Sequence, residues 1–272
     1  MDPATLYRDG RLAEAIEAQL AIVKAHPTDQ AKRLFLFELV CFAGDLDRAR
    51  RQIELLNYSD PGLDAAAQAY RKAIDAEESR RKLFRDGVAP QFFAGAPDHC
   101  VLRLKAVQAL RSGQPEEASR LLGEADEATP KPPGLLNDRP FALLRDADDL
   151  FSGVLEVIAH GDYYWVPLEE IVSLTVMPPQ YPRDLIYLPA KLELADAHGD
   201  VFLPALYPGS HEHSDNAIKL GRMTDWKPLD DQRALGVGLK LFLMDDDDLA
   251  LPDWRSLSRP EDEARTEAEP RD

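Results

Sequence analysis

The sequence predicts an α+β chain: a helical repeat domain over residues 1–130, then a small, mostly antiparallel β domain over residues 154–258. Three observations predict it. A Gly…Ala…Pro frame recurs through the first half. A Pro-rich break, Thr129-Pro-Lys-Pro-Pro-Gly134, follows. Beyond the break, short apolar runs alternate with turn residues instead of continuing at helical spacing. The break and a short helix over residues 141–151 account for residues 131–153. A charged stretch, residues 259–272, lacks apolar periodicity and is expected to be a disordered acidic tail.

The repeat frame starts at Gly10, Gly44 and Gly113. Each glycine has Ala five positions on (Ala15, Ala49, Ala118) and Pro seventeen on (Pro27, Pro61, Pro130). The first two glycines are 34 residues apart and the next two 69, about two periods, so one degenerate repeat is expected between them. That period and frame are those of a tetratricopeptide-like (TPR-like) repeat. The glycine lets the chain turn after the first helix. The alanine lets two helices approach closely. The proline ends the second helix, because it cannot continue one. Asp2 and Asp29 stand where N-caps belong. Helices are expected over residues 29–43, 64–86 and 98–112. The first is apolar almost all round, with Leu34 to Phe37, Leu39, Val40 and Phe42. It is either the centre of the stack or one wall of a groove for a partner helix, with Arg33 and Phe37 as groove candidates.

Strands are expected over residues 154–159, 171–177, 190–195, 201–206, 217–221 and 238–244. Alternation around His198-Gly-Asp200 predicts an antiparallel hairpin turning there. The acidic run Asp245 to Asp248 is expected to end the last strand.

Chemistry is sparse. The chain has no GxxxxGK(S/T) loop, no GxGxxG and no HExxH, and Gly236-Val-Gly238 is a bare GxG. Ser210 lies outside any GxSxG elbow. His211, Glu212, His213 and Asp215 have metal-ligand types, but a polar loop after Pro-Gly supplies the same letters. His160-Gly-Asp-Tyr-Tyr-Trp-Val-Pro167 holds an imidazole, a carboxylate and three rings. Gly161 suits a turn after a strand, with Asp162 accepting turn amides. Tyr163 and Trp165 then share one face and Tyr164 takes the other. Three readings stay open for this segment: a structural corner, an aromatic patch for a protein partner, and an acid/base site. Catalysis would require His160, Asp162, His211 and His213 to converge. No cofactor, metal or small-molecule substrate is expected.

The formal charge of −17 repels phosphate backbones and anionic lipid, which argues against nucleic-acid and membrane partners. No secretory signal or membrane-length apolar run is apparent, and Cys41 and Cys100 read as buried hydrophobes in a reducing compartment. A cytoplasmic protein is expected.

Five segments, FLFELVCFAGDLDRA, VLEVIAHGDYYWVPLEEI, VFLPALYPGSH, LGRMTDW and GVGLKLFL, resemble the ImpE family, also called SciE or TagJ, in the same order over about residues 1–257. The resemblance implies a helical-repeat domain followed by a β-containing domain. It implies no known catalytic activity and an accessory role in bacterial type VI secretion. It also implies two partners: the small subunit of the contractile sheath, through that subunit's N-terminal helix, and the ClpV-type AAA+ ATPase that disassembles spent sheaths. A role in sheath assembly or recycling follows. The family motifs assign no contact residue. The candidates Arg33, Phe37, His160, Asp162, Tyr163, Tyr164, Trp165, Tyr207 and His211 come from the residues alone. A TPR-like scaffold outside secretion and a metal- or His-dependent hydrolase are the alternatives.

Overall fold

The computed structural model describes residues 1–259; the expected tail from residue 260 onward lies outside them. The first half is helical: α1 (Pro3–Arg8), α2 (Leu12–Ala25), α3 (Gln30–Phe42), α4 (Leu46–Glu54), α5 (Pro61–Asp86), α6 (Asp98–Arg111) and α7 (Pro115–Ala128). Helices α1/α2, α3/α4 and α6/α7 form antiparallel pairs at the three copies of the repeat frame. Gly10, Gly44 and Gly113 all take the left-handed conformation, with φ of 77°, 71° and 70°. Ala15, Ala49 and Ala118 are wholly buried where the helices cross. Asp2, Asp29, Asp45 and Asp60 cap α1, α3, α4 and α5, each accepting the amide three residues on.

Two details of the repeat reading are corrected. Pro61 does not end a helix; it opens α5 at the first helical position, where a missing N–H costs nothing. The expected degenerate repeat is not a helix pair. Its place is taken by the 26-residue α5 and the extended segment after it.

The second half contains β1 (Gly134–Leu136), β2 (Arg139–Phe141), β3 (Leu144–Asp146), β4 (Val154–Ala159), β5 (Asp162–Pro167), β6 (Ile171–Val176), β7 (Tyr187–Leu194), β8 (His198–Pro204), α8 (Asn216–Lys219), β9 (Thr224–Pro228), β10 (Ala234–Gly238), β11 (Leu241–Met244), β12 (Asp247–Ala250) and β13 (Ser256–Ser258). Among the described residues an antiparallel eight-stranded sheet runs β2-β1-β13-β6-β7-β8-β4-β5. A three-stranded sheet, β12-β11-β3, and the β9–β10 ribbon complete it.

The sheet reading needs four corrections. The expected helix over residues 141–151 is β3 and a loop, because Asp146 and Asp148 capture the amides of Asp148 and Leu150 with their own side chains. The expected strand over residues 217–221 is α8, capped by Asp215 on the Ala217 amide at 2.7 Å. The β7–β8 hairpin turns at residues 195–197, and His198 to Asp200 are already paired in β8. Asp245, with φ of 51°, turns β11 into β12, so the acidic run does not end the last strand.

Side chains alternate across β4 and β5. Val154 and Ile158 on β4, with Tyr163 and Trp165 on β5, face the helices. Leu155, Val157, Ala159 and Val166 face the other way, into a second cluster with Phe242, Met244, Leu251 and Trp254. The first cluster runs unbroken from Leu6 on α1 to Tyr207 beyond β8, so the helices and the sheet share one core. A Cβ on Gly44 would lie 2.1–2.8 Å from His211, where the two halves meet. Gly44→Ala is therefore expected to cost more than the ~1–2 kcal/mol of the left-handed backbone. Gly113→Ala, with open space around it, should cost that backbone amount alone. Urea unfolding of the two variants checks the difference.

Candidate interaction site

His160-Gly-Asp-Tyr-Tyr-Trp-Val-Pro167 is the β4–β5 hairpin. Ala159 pairs with Asp162 across a two-residue loop in which His160 (φ 57°) and Gly161 (φ 100°) are both left-handed. That is the turn whose twist matches paired strands. His160 is exposed at its tip. Asp162 is the exposed first residue of β5, and among the described hydrogen bonds its carboxylate takes no turn amide, contrary to the expectation.

Beneath the hairpin lies a buried ionic network. Glu156 of β4 accepts both Nε (2.7 Å) and Nη2 (2.8 Å) of Arg80 on α5. It also accepts the Tyr163 hydroxyl at 2.5 Å, which in turn accepts Trp165 Nε1 at 2.6 Å. Lys240, between β10 and β11, places Nζ 2.9 Å from Glu156 and 3.4 Å from Asp146. Its ammonium lies 4.3 Å from the Phe151 ring centroid and 4.8 Å from that of Tyr207. The Tyr207 hydroxyl donates to Asp146 at 2.6 Å. Burial raises the Glu156 carboxyl, but Arg80 and Lys240 outweigh it and hold it at about 2. Asp148 nearby is pushed up to about 8 by burial and by Asp146.

The inner face of the repeat helices is not open. A 3-10 turn, Pro182–Leu185, packs against α3. Its Arg183 pairs with Glu38 and lies 5.3 Å from the Tyr70 ring centroid, and Tyr70 donates to Asp184 at 3.3 Å. Arg222 reaches the end of α1, donating to the carbonyls of Tyr7 and Arg8 at 2.7 and 2.8 Å. At these two places the chain's own second half packs on α1, α3 and α5, and Phe37 itself is covered by Tyr70 of α5.

The nine candidate residues therefore separate. Phe37, Tyr163, Trp165 and Tyr207 are inside the molecule, at most 3% exposed, and no partner reaches them in this fold. Arg33 ties α3 to Gln52 and to the Pro27 carbonyl. Tyr164 stacks on Phe93 with ring centroids 4.3 Å apart. His211 is half-buried over Gly44. The four residues proposed for catalysis are not brought together: His160 and His211 line different clefts, and His213 faces Asp225 at 3.6 Å. Among the described residues no group of three His, Cys, Asp or Glu side chains is placed to hold a metal ion. Nor is any helix long and apolar enough to cross a membrane.

The largely apolar cleft lies beside the hairpin, between α5 and the ends of β4, β7 and β8. It measures about 390 Å³; Ala69, Ile158, Met177 and Phe202 line it, with Lys72 and His160 at its edge.

Over 253 residues, 93% of this chain and 89% of the relative, the sequence is 38% identical to the type VI secretion system accessory component TagJ of Pseudomonas aeruginosa. The chain belongs to the ImpE/TagJ family. Its ImpE protein model matches residues 138–258. The crystal structure of protein VPA1032 from Vibrio parahaemolyticus superposes with a TM-score of 0.86 at 27% identity, covering 97% of this chain and 99% of that one. This family member therefore has a role associated with type VI secretion. The family region contains Asp146, Glu156, Tyr207 and Lys240, whereas Arg80 comes from the helical half.

The network escaped the sequence reading, although its signal was present. Glu156 is the one charge in Val-Leu-Glu-Val-Ile-Ala, and Lys240 stands alone in Gly-Val-Gly-Leu-Lys-Leu-Phe-Leu. A lone charge within an apolar run needs a buried partner. Glu156→Gln removes the nearest counter-charge of both cations, leaving Arg80 only Glu77 and Lys240 only Asp146, each at 3.4 Å, and is expected to cost about 3–5 kcal/mol at neutral pH, read by urea unfolding. Because the folded carboxyl is held at about 2, below its ordinary 4.5, its contribution is complete above that ordinary value and is lost as pH falls toward 2. Stability of the variant should fall less steeply than that of the wild type across this window.

Proposed function

We propose that the protein is a non-catalytic cytoplasmic adaptor of the type VI secretion system. It engages the small subunit of the contractile sheath through that subunit's N-terminal helix, and the ClpV-type ATPase as a second partner, to modulate sheath assembly or recycling. The observation that carries this reading is the 38% identity to the TagJ accessory component over nearly the whole chain. The cleft beside His160 is the docking place for the helix. It offers apolar walls for side chains spaced three and four residues apart on one face. His160 at the hairpin tip lines that cleft, whereas Asp162 and Tyr164 of the same hairpin stand outside its lining.

Titration calorimetry with the N-terminal helix peptide of the sheath small subunit from the same secretion cluster tests the reading. Saturable binding is expected. Ala69→Arg, which fills the cleft, should weaken it about tenfold or more without changing the circular dichroism spectrum. Binding that Ala69→Arg leaves intact would move the site off the cleft. Failure of the wild type to bind either the peptide or the ATPase would sink the adaptor reading.

A further inference from the structure

A second cavity, of about 300 Å³, opens between the end of α7, the Pro-rich break, the loop after β3 and the turn joining β9 to β10. Its size is at the lower end of the ~300–1,000 Å³ range of ligand pockets. Lys131, Arg145, Arg233 and Arg259 line it, against the carboxylates of Asp126 and Asp149. Four cations thus outnumber two anions in a chain whose formal charge is −17. Both carboxylates are already engaged. Asp126 accepts from Arg103 Nη2 at 2.7 Å. Asp149 accepts the Ala234 amide at 2.8 Å and Arg145 Nη1 at 3.2 Å. Among the described residues Arg233 finds the Ser119 hydroxyl, 3.3 Å from Nη1, and Arg259 finds main-chain carbonyls of Pro132, Pro133 and Leu168. The Nε of both guanidiniums is buried with no hydrogen-bond partner.

A guanidinium carries five donors in a planar fork that matches an oxyanion. The buried Nε atoms are out of reach of a ligand, but among the described hydrogen bonds Arg233 Nη2 has no acceptor, and with Arg145 and Lys131 beside it the cavity carries more positive charge than its two carboxylates offset. We propose that this cavity is an oxyanion-binding site for a small phosphate- or carboxylate-bearing ligand, with Arg233 as its principal fork. Thr129, Ser152 and Gln232 add neutral polar groups to the lining. The site is separate from the cleft beside His160, and it does not depend on the adaptor reading.

The test is calorimetric titration of the full chain with pyrophosphate and, separately, with citrate, each against sodium chloride at matched ionic strength. Saturable binding of at least one, with a Kd below about 1 mM, is expected. Arg233→Gln should weaken it about tenfold, Arg233→Lys should retain part of it, and Arg145→Gln should weaken it independently. Arg120→Gln, on the exposed face of α7 and outside the cavity lining, should leave it unchanged. Binding of pyrophosphate alone makes the ligand phosphoryl, and binding of citrate alone makes it a carboxylate. No saturable binding at millimolar concentration overturns the proposal. So does binding that chloride reproduces, or that neither Arg233→Gln nor Arg145→Gln alters in proteins with unchanged circular dichroism.

Discussion

The two-pronged contact between Arg80 on α5 and Glu156 on β4 is the constraint on which the rest of this structure depends. Both side chains are almost completely removed from water. Ions in such a place are tolerated only when geometry and hydrogen bonding offset their lost hydration. Here Tyr163 and Lys240 complete the set, and Tyr207 and Asp146 hold Lys240 in turn. Each contributor comes from a different element. Helix α5, strand β4, strand β5 and the β10–β11 connection can satisfy the network only in one mutual arrangement. A displaced helix would leave these charges unpaired in the core, a cost that an apolar contact would not impose.

That fixed arrangement explains why the repeat helices do not present an empty groove. With α5 pinned to the sheet, the segments around Arg183 and Arg222 fall against α3 and α1, where Glu38, Tyr70 and the last carbonyls of α1 receive them. A TPR-like frame usually leaves its inner face for a partner. In this chain the partner of that face is the chain itself. The open clefts lie at the seams instead: one between α5 and the ends of the sheet strands beside His160, the other an arginine-lined cavity below α7.

Much of the helical half was legible in the sequence, because its determinants are local. Gly44 needs its left-handed backbone whatever surrounds it, and Asp29 caps α3 with its own side chain. The alternation of Tyr163, Tyr164 and Trp165 was equally readable, since opposite faces of a strand are set by the pleat. Errors arose where a side chain competes with the backbone. Residues 141–151 have helical apolar spacing, but Asp146 and Asp148 divert the amides that a helix would use. Residues 217–221 look like a strand until Asp215 caps them and Gly221, with φ of 63°, ends them. Of the candidate site, the hairpin carrying His160, Asp162 and Tyr164 was found from sequence. For its aromatic neighbours Tyr163 and Trp165 a structural corner and a partner surface both stayed open, because exposure is not written in a period of two.

By itself the sequence determined the succession of a helical half and a β half, the repeat turns, the two faces of the β4–β5 hairpin and the family. These follow from φ preferences, caps and alternation over a few residues. Only the tertiary structure decided which face each half would bury and therefore what was left outside. Glu156 and Arg80 are 76 positions apart, and nothing local tells a lone charge which distant ion will meet it. The choice was made by the cost of leaving either one unpaired in the core, and that cost exists only once the core has formed.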